Sequence, residues 1–485
     1  MELPQVDITV ALQIAIVFAW AMGMLLAVLF VKDPRAIGGA GLVGVVVAAL
    51  AGIPLWNANR TTFNGMLALD NYALTLNWIF LGVTAITILI SLDYLPRHGI
   101  EQGEYYVLLL FATGAMMLLG QGNDLIVLFL GLELLSITLY VLAGFAYPRL
   151  SSEEAAMKYL LVGAFAAGFL VFGIALTYGA SGSSNLNEIN AFLAQQTART
   201  SDVTLLLVGA ALVIVGFGYK IAMAPFHMWT PDVYEGSPTP VAAFMSVGTK
   251  SAGFAALTRF LVVALPAERL AWVPILAALA AVTMIVGNLS AVAQTNVKRM
   301  LAYSSVGHAG YILMGTLAGN STGSRGVEAM LFYLVAYSLT NLAAFAVLIT
   351  LEKRGEDAWS IDSFAGLWER QPWLAVAMAV CMFSLAGVPL TAGFIGKFYV
   401  FAAAWQAGLV WLTVVGVFTS AISAFFYLRI VVQMFMRSPI GDVRPIVDRG
   451  LGIGIAVATI GIVVFGIIPT PIVDLVQNSL VAFGQ

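Results

Sequence analysis

The chain holds one cysteine, three histidines and charged side chains at only 10% of its 485 positions. A single cysteine, Cys381, excludes an internal disulfide, a thiolate metal cluster and a CxxC redox pair within the chain. Soluble domains carry roughly 25% charged residues. With 61% hydrophobic residues and a mean hydropathy of +0.95, the chain has too little polar surface to enclose a water-soluble core of its size. A net charge of −3, dispersed along the chain, argues against a nucleic-acid surface. The start, Met1-Glu2-Leu3-Pro4 with Asp7, lacks the basic segment of a cleavable signal, so the first apolar run is expected to stay as a membrane span.

What fills the chain is apolar sequence in long runs. About 20 apolar residues cross a bilayer. Such windows lie at 8–31, 37–56, 72–92, 104–121, 123–147, 156–179, 203–224, 238–264, 271–293, 300–318, 327–351, 372–403 with an internal break, 408–435 and 450–470. They predict an all-α polytopic membrane protein of about 14 transmembrane helices, with both termini on one side. Cytoplasmic connections carry the excess of Lys and Arg. One set of connections holds Lys32, Arg35, Arg97, Arg149, Lys298, Arg299, Lys353, Arg354, Arg370, Arg437, Arg444 and Arg449. The other holds only Arg60, Arg199, Arg269 and Arg325, which puts the first set in the cytoplasm and both termini on the periplasmic side. Two connections, 184–199 and 357–370, interleave apolar and charged residues as helices lying in the headgroup layer do.

Six basic residues, Lys158, Lys220, Lys250, Arg259, Lys397 and Arg429, fall inside predicted spans. A lysine inside hydrocarbon costs a few kcal/mol or more, so it normally faces protein or a wet cavity. Lys220 is followed five residues later by Pro225, then by His227, and the next apolar run holds Lys250. Pro225 cannot donate an amide hydrogen, and broken backbone at membrane depth survives only where neighbours, water or a cavity satisfy it. The bland alternative is a common proline kink with Lys220 reaching for the surface. A second break reads Ser384-Leu385-Ala386-Gly387-Val388-Pro389, and Lys397 follows with Gly393 and Gly396 beside it. Two interrupted helices, each bearing one lysine, fit a transporter built of inverted repeats. The expected organisation is an N-terminal three-helix segment (1–103), five-helix repeats at 104–264 and 271–435, and a C-terminal helix (436–485).

Glu133 lies near the middle of its span, and Ser136, Tyr140 and Gly144 follow at helical spacing on its face. Ser304, His308 and Tyr311 share a face of the span that follows Lys298 and Arg299. An imidazole there serves either as a satisfied core residue or as a proton relay. Snorkelling is the expected state of Arg259 and Arg429. Lys298 and Arg299 read as topology determinants, and Lys158 stays open between relay and surface group. Gly39-Ala40-Gly41-Leu42-Val43-Gly44 matches a dinucleotide-binding pattern, but it opens an apolar span with no strand before it, so close helix packing is the expectation.

The run Trp229-Thr230-Pro231-Asp232-Val233-Tyr234-Glu235-Gly236-Ser237-Pro238-Thr239-Pro240, with Lys298 to His308 and the Gly387–Lys397 segment, resembles one family over essentially the whole chain. That family is the N subunit of proton-pumping NADH:quinone oxidoreductase (complex I), with its photosynthetic NDH relatives. The resemblance implies an antiporter-like fold of 14 helices with a central hydrophilic axis. It makes Glu133 the charged partner of Lys220, Lys250 the connecting relay and Lys397 the terminal lysine. M-type relatives carry a glutamate where Lys397 stands, and L-type relatives extend into a long lateral helix. It implies M-type and small K- or J-type membrane neighbours, with FMN, iron–sulfur clusters and quinone in other subunits and no cofactor in this chain. The implied location is the bacterial inner membrane, or a thylakoid for a photosynthetic relative. Protons would pass from the cytoplasm to Lys220, by Lys250 and His308, to Lys397. An Mrp-type Na⁺/H⁺ antiporter subunit is the alternative, and a structural spacer with vestigial charges a third reading.

Overall fold

The computed structural model describes residues 6–195, 200–319, 325–352, 359–440 and 445–479. Arg199, Lys353, Arg354 and Arg444, used above to orient the chain, lie outside the described residues, as do parts of the two expected headgroup-layer segments.

Helices α1 (Leu12–Val28) and α2 (Pro34–Gly52) pack as a pair. They lead into an antiparallel ribbon that periodicity did not reveal, β1 (Arg60–Thr62) against β2 (Leu67–Leu69), with Arg60 opposite Leu69. The chain continues through α3 (Asn71–Ser91), a short α4 (Tyr94–His98), α5 (Glu104–Gln121), α6 (Leu125–Ala143), α7 (Leu150–Ser181), a short α8 (Leu186–Ala194) and α9 (Thr200–Lys220). Next come α10 (Trp229–Gly236), α11 (Thr239–Phe244) and α12 (Lys250–Arg259), with wide π-type turns at Met245–Thr249 and Phe260–Ala264. The remainder is α13 (Arg269–Val292), α14 (Val297–Ala318), α15 (Arg325–Leu351), α16 (Leu367–Arg370), α17 (Pro372–Ala386), α18 (Ala392–Gln406), α19 (Val410–Met436), α20 (Arg449–Ile467) and α21 (Thr470–Gln477). Helix starts are marked by side-chain caps: Asp70, Asp124, Asn185, Asn296 and Thr391 each accept from an amide in the first turn.

Among the described residues, eleven helices are long and apolar enough to cross a membrane. Of the fourteen windows read from sequence, 8–31, 300–318 and 372–403 fall outside that count. The first yields the 17-residue α1. Over the second, α14 carries Lys298, Arg299, Ser304, Ser305 and His308. The third splits into α17 and α18, 15 residues each.

The helices are not equally buried. The stretch Thr239–Ala264 is enclosed on all sides, whereas α7 and α20 bury about a third of their residues and present the rest outward. The central stretch is also among the least hydrophobic of the spans. Polar groups there meet protein instead of lipid, which is the condition under which an intramembrane lysine is tolerated. The glycine-rich start of α2 is a packing surface: a Cβ on Gly44 would stand 2.4 Å from the Trp20 ring, and the Trp20 indole donates to the Ala40 carbonyl at 2.8 Å.

Candidate functional site

Helix α9 stops at Lys220, five residues short of Pro225, because the backbone turns at Ala222, which takes a left-handed φ of 59°. Such a conformation costs a β-carbon-bearing residue of order 1–3 kcal/mol and persists only where the surroundings impose it. Here they do: Met223 N donates to Gly218 O at 2.8 Å, and Ala224 N to Thr283 Oγ1 at 2.9 Å. The break leaves the Lys220 ammonium fully enclosed. It donates to Ser136 Oγ at 3.0 Å and Tyr159 OH at 3.2 Å, and lies 5.4 Å from the Tyr159 ring centre. The Tyr159 ring in turn stacks on Trp229 at 4.6 Å, and the Trp229 indole donates to the Tyr219 carbonyl at 3.1 Å.

Glu133 sits one turn before Ser136 on α6, and only part of its carboxylate is covered. No ion pair within 4.0 Å joins it to Lys220, and its buried Oε1 has no hydrogen-bond partner among the described residues. The nearest contacts of the lysine are therefore a hydroxyl and a phenol. His227 lies in the break, with its Nδ1 buried and unpartnered.

Lys250 begins α12 directly after the first π turn, at the centre of the molecule. Its ammonium donates to both the carbonyl and the hydroxyl of Ser305 on α14. One turn earlier, Ser246 accepts from Asn341 Nδ2 at 2.6 Å, and the same nitrogen reaches Tyr337 OH at 3.2 Å. The stem of Lys220 packs against Gly253, one turn after Lys250 on α12. The ideal Cβ position of Gly253 is 3.6 Å from both Cβ and Cγ of Lys220.

His308 is buried, and both of its ring nitrogens meet phenols. Nδ1 pairs with Tyr333 OH at 2.8 Å, Nε2 pairs with Tyr427 OH at 3.0 Å, and Tyr337 stacks on the ring at 4.9 Å. Tyr427 also pairs with Ser304, one turn before the histidine. A neutral imidazole donates at one nitrogen and accepts at the other, so this ring can pass a proton between two hydroxyls. A cavity of about 10 Å³, lined by His308, Tyr337, Thr340 and Ser384 among others, stands beside it, room for about one water.

At the second break α17 ends in left-handed Gly387 (φ 84°), and Leu390 takes φ 71°. The ammonium of Lys397 folds back onto the end of α17. It donates to the Leu385 carbonyl at 2.7 Å, the Ala386 carbonyl at 3.2 Å and Ser420 Oγ on α19 at 2.8 Å. Those carbonyls are among the four that any helix leaves without an internal partner, at the negative end of its dipole. Gly387 is required both for its φ and for space: an added Cβ would lie 2.9 Å from Lys397 Cδ. Lys397 also stands 5.1 Å from the Tyr311 ring centre, and Tyr311 donates to Thr419 at 3.1 Å.

Two other basic residues, Arg259 and Lys298, part company with their sequence reading. Arg259 does not snorkel. It is buried and paired bidentately with Asp70 at 2.8 and 2.9 Å, and it donates to the Gly120 carbonyl at 3.1 Å. Lys298 is more than a topology marker, since it is buried, donates to the Ser237 carbonyl at 2.6 Å and stands 4.3 Å from the Trp359 ring centre. Lys158 faces outward in a charge network, 2.6 Å from Glu154 and 2.8 Å from Asp232, with Arg299 bridging Asp232 and Glu235. Arg429 donates to main-chain carbonyls of Val292 and Gln294, near the end of α13. Sequence reasoning missed Tyr159, Ser305, Tyr333, Asn341, Ser420 and Tyr427. Ser305 stood next to the singled-out Ser304, but nothing local showed which of the two faces a lysine.

Residues 122–423 match the family described as NADH:quinone oxidoreductase/Mrp antiporter, TM. The chain is 63% identical to NADH-quinone oxidoreductase subunit N 2 of Roseiflexus castenholzii over 98% of its own length and 97% of the relative's. Its fold superposes on a chain of respiratory complex I from Thermus thermophilus with TM-score 0.81 and 34% identity, covering 95% of this chain and 98% of that one. A chain of the Mrp complex from Dietzia sp. shares the fold (TM-score 0.84, covering 96% and 97%) at only 20% identity. With identity this high across nearly the full length of an N subunit, and the Mrp likeness limited to fold, the chain belongs to the subunit N family of NADH-quinone oxidoreductase.

Proposed function

We infer that this chain is the membrane-arm subunit through which NADH:quinone oxidoreductase moves protons, driven by quinone reduction in other subunits. The observation that carries the reading is a contrast among buried cations. Arg259, which never deprotonates, is locked to Asp70, whereas Lys220, Lys250 and Lys397 have no carboxylate within 4.0 Å among the described residues. An ammonium held by hydroxyl and carbonyl oxygens can release its proton without leaving a buried carboxylate unpaired. The hydroxyls that hold it offer the next stop.

In this reading the proton reaches Lys220, passes to Lys250 across the Gly253 contact, crosses Ser305 and the His308–tyrosine set, and leaves from Lys397. Glu133 acts on Lys220 from a distance, and its approach or withdrawal stabilises or destabilises the ammonium. The helices fit fourteen crossings: the eleven long apolar ones, then α1, α14 and the α17–α18 pair. Repeats at 104–264 and 271–435 each contain one break and one lysine beside it, with 1–103 and 436–485 outside them. The basic connections then face the cytoplasm and both termini the periplasm of a bacterial inner membrane. The neighbours are M-type and small K- or J-type subunits, and FMN, iron–sulfur clusters and quinone sit elsewhere in the complex.

In Lys220→Ala and Lys397→Ala complexes with verified assembly, the proton-to-electron ratio should fall well below wild type. Wild-type ratios in both would overturn this reading. Sodium-dependent transport by a chain that co-purifies with no quinone-reactive subunits would favour the Mrp-type alternative.

A further inference from the structure

A second set of titratable groups lies at the end of α15 opposite Arg325, among the basic connections. Glu352 is buried there, and its Oε1 accepts from Thr239 Oγ1 and Trp359 Nε1, each at 2.7 Å. Its Oε2 stands 4.0 Å from His98 Nε2, a buried nitrogen with no hydrogen-bond partner among the described residues. The His98 ring stacks on Tyr94 at 4.1 Å and is the more exposed member of the pair, at 12% against 2%. Among the described residues, the cations that act on the His98 imidazole are Arg97 on α4, Arg149 and Lys298. The last two stand 5.1 and 4.3 Å from the Trp359 ring centre. Burial, then Arg97, Arg149 and Lys298, hold the His98 imidazole down at about 4, so it is neutral near pH 7.

Thr239 and Ser246 are seven residues apart and both meet the α15 side, and Lys250 follows at the end of the π turn, where its ammonium reaches Ser305 on α14. Asn341 lies on α15, and Glu352 directly follows its last residue, eleven positions later. The two stretches meet in two polar rungs, Thr239 with Glu352 and Ser246 with Asn341, and the next turn carries Lys250. At 1.5 Å per residue the rungs are separated by about 10 Å along 239–246 and about 16 Å along 341–352. Along this seam Asn341 Oδ1 and Ser338 Oγ are buried without a partner, although buried polar atoms are nearly always satisfied by protein or by water.

We propose that the α11–α15 seam is a proton intake route to Lys250, with Glu352 as its loading carboxylate and His98 as the group between Glu352 and bulk water. The proposal rests on the proton-translocation reading above. The imidazole takes a proton from bulk water on one nitrogen and releases the one on the other to Glu352 Oε2. The carboxylate becomes the neutral acid, then returns to its anionic form as the proton passes through water along the Ser246–Asn341 rung to Lys250. One proton moves and none is consumed.

Glu352→Gln tests this, because the amide oxygen still accepts from Thr239 and Trp359 while the group no longer titrates. In assembled complex reconstituted in vesicles, proton uptake per electron through this subunit should drop about tenfold or more. Glu352→Asp, which still titrates, should restore most of it. Asn341→Leu, which leaves Glu352 in place and closes the middle rung, should match the glutamine variant. A merely structural carboxylate predicts the reverse order, with Gln tolerated and Asp damaging. Wild-type uptake in Glu352→Gln or in Asn341→Leu overturns the proposal. Lys220→Ala measured alongside separates the readings: loss there with no effect of Glu352→Gln removes only this route, and no effect in either removes proton translocation as well.

Discussion

Arg259→Ala should abolish stable accumulation of the chain in the membrane, at a cost of about 3–5 kcal/mol. The guanidinium is 1% exposed and so is Asp70, so removing one partner leaves a carboxylate enclosed with no countercharge. The loss would extend beyond the pair. Arg259 also holds the Gly120 carbonyl near the end of α5 and stands 5.1 Å from the Tyr72 ring centre, while Tyr72 OH donates to the Ala255 carbonyl at 3.1 Å. One side chain thus joins α12, the start of α3 and the end of α5, three of the elements that enclose the lysines. Arg259→Lys should recover only part of the stability, since an ammonium cannot reproduce two parallel N–H contacts. Asp70 also caps α3 by accepting from Ala73 N at 2.8 Å. The double change Arg259→Met with Asp70→Asn should therefore be much milder than Arg259→Ala, because asparagine keeps the cap and no charge is stranded. Immunoblotting of membranes and the thermal midpoint in mild detergent read these outcomes. Wild-type levels of Arg259→Ala would refute the argument.

The lysines were legible in the sequence because their cost is local: an ammonium among twenty apolar residues is anomalous whatever packs around it. The breaks were legible for the same reason, through Pro225, Gly387 and Pro389. What each lysine touches was not, because Ser136 is 84 residues from Lys220 and Ser305 is 55 from Lys250. Arg259 shows the limit most clearly. Its place late in a span suggested snorkelling, and only the fold reveals that Asp70, 189 residues earlier, closes over it. Lys298 failed likewise, since being near a span's end says nothing about whether protein covers that end. The Glu133–Lys220 pairing implied by family resemblance has a physical gap. The two act on each other electrostatically, but no contact within 4.0 Å joins them, and Lys220 donates instead to Ser136, one turn after Glu133.

The same reasoning makes Gly253 a sensitive uncharged position near the lysines. Gly253 is one turn after Lys250, a rise of about 4.5 Å, and lacks a side chain where the end of α9 docks. An added methyl would lie 2.7 Å from Ile221 Cγ2 and 3.6 Å from Cβ and Cγ of Lys220. The methyl of Gly253→Ala must push the break outward, with an overpacking cost of about 1–3 kcal/mol. The displacement falls on the lysine stem, whose ammonium is hydrogen-bonded to Ser136 and Tyr159. Misplacing a reacting group by about 1 Å can cost roughly 100-fold in rate. Assembled Gly253→Ala complex is therefore expected to pump at least about tenfold more slowly per electron. Gly82→Ala on α3, where an added methyl meets nothing within 4 Å, should pump normally and gain slightly in helix stability. Equal pumping by the two variants would mean that the spacing between Lys220 and Lys250 does not control transfer, and the step across this contact would have to be abandoned.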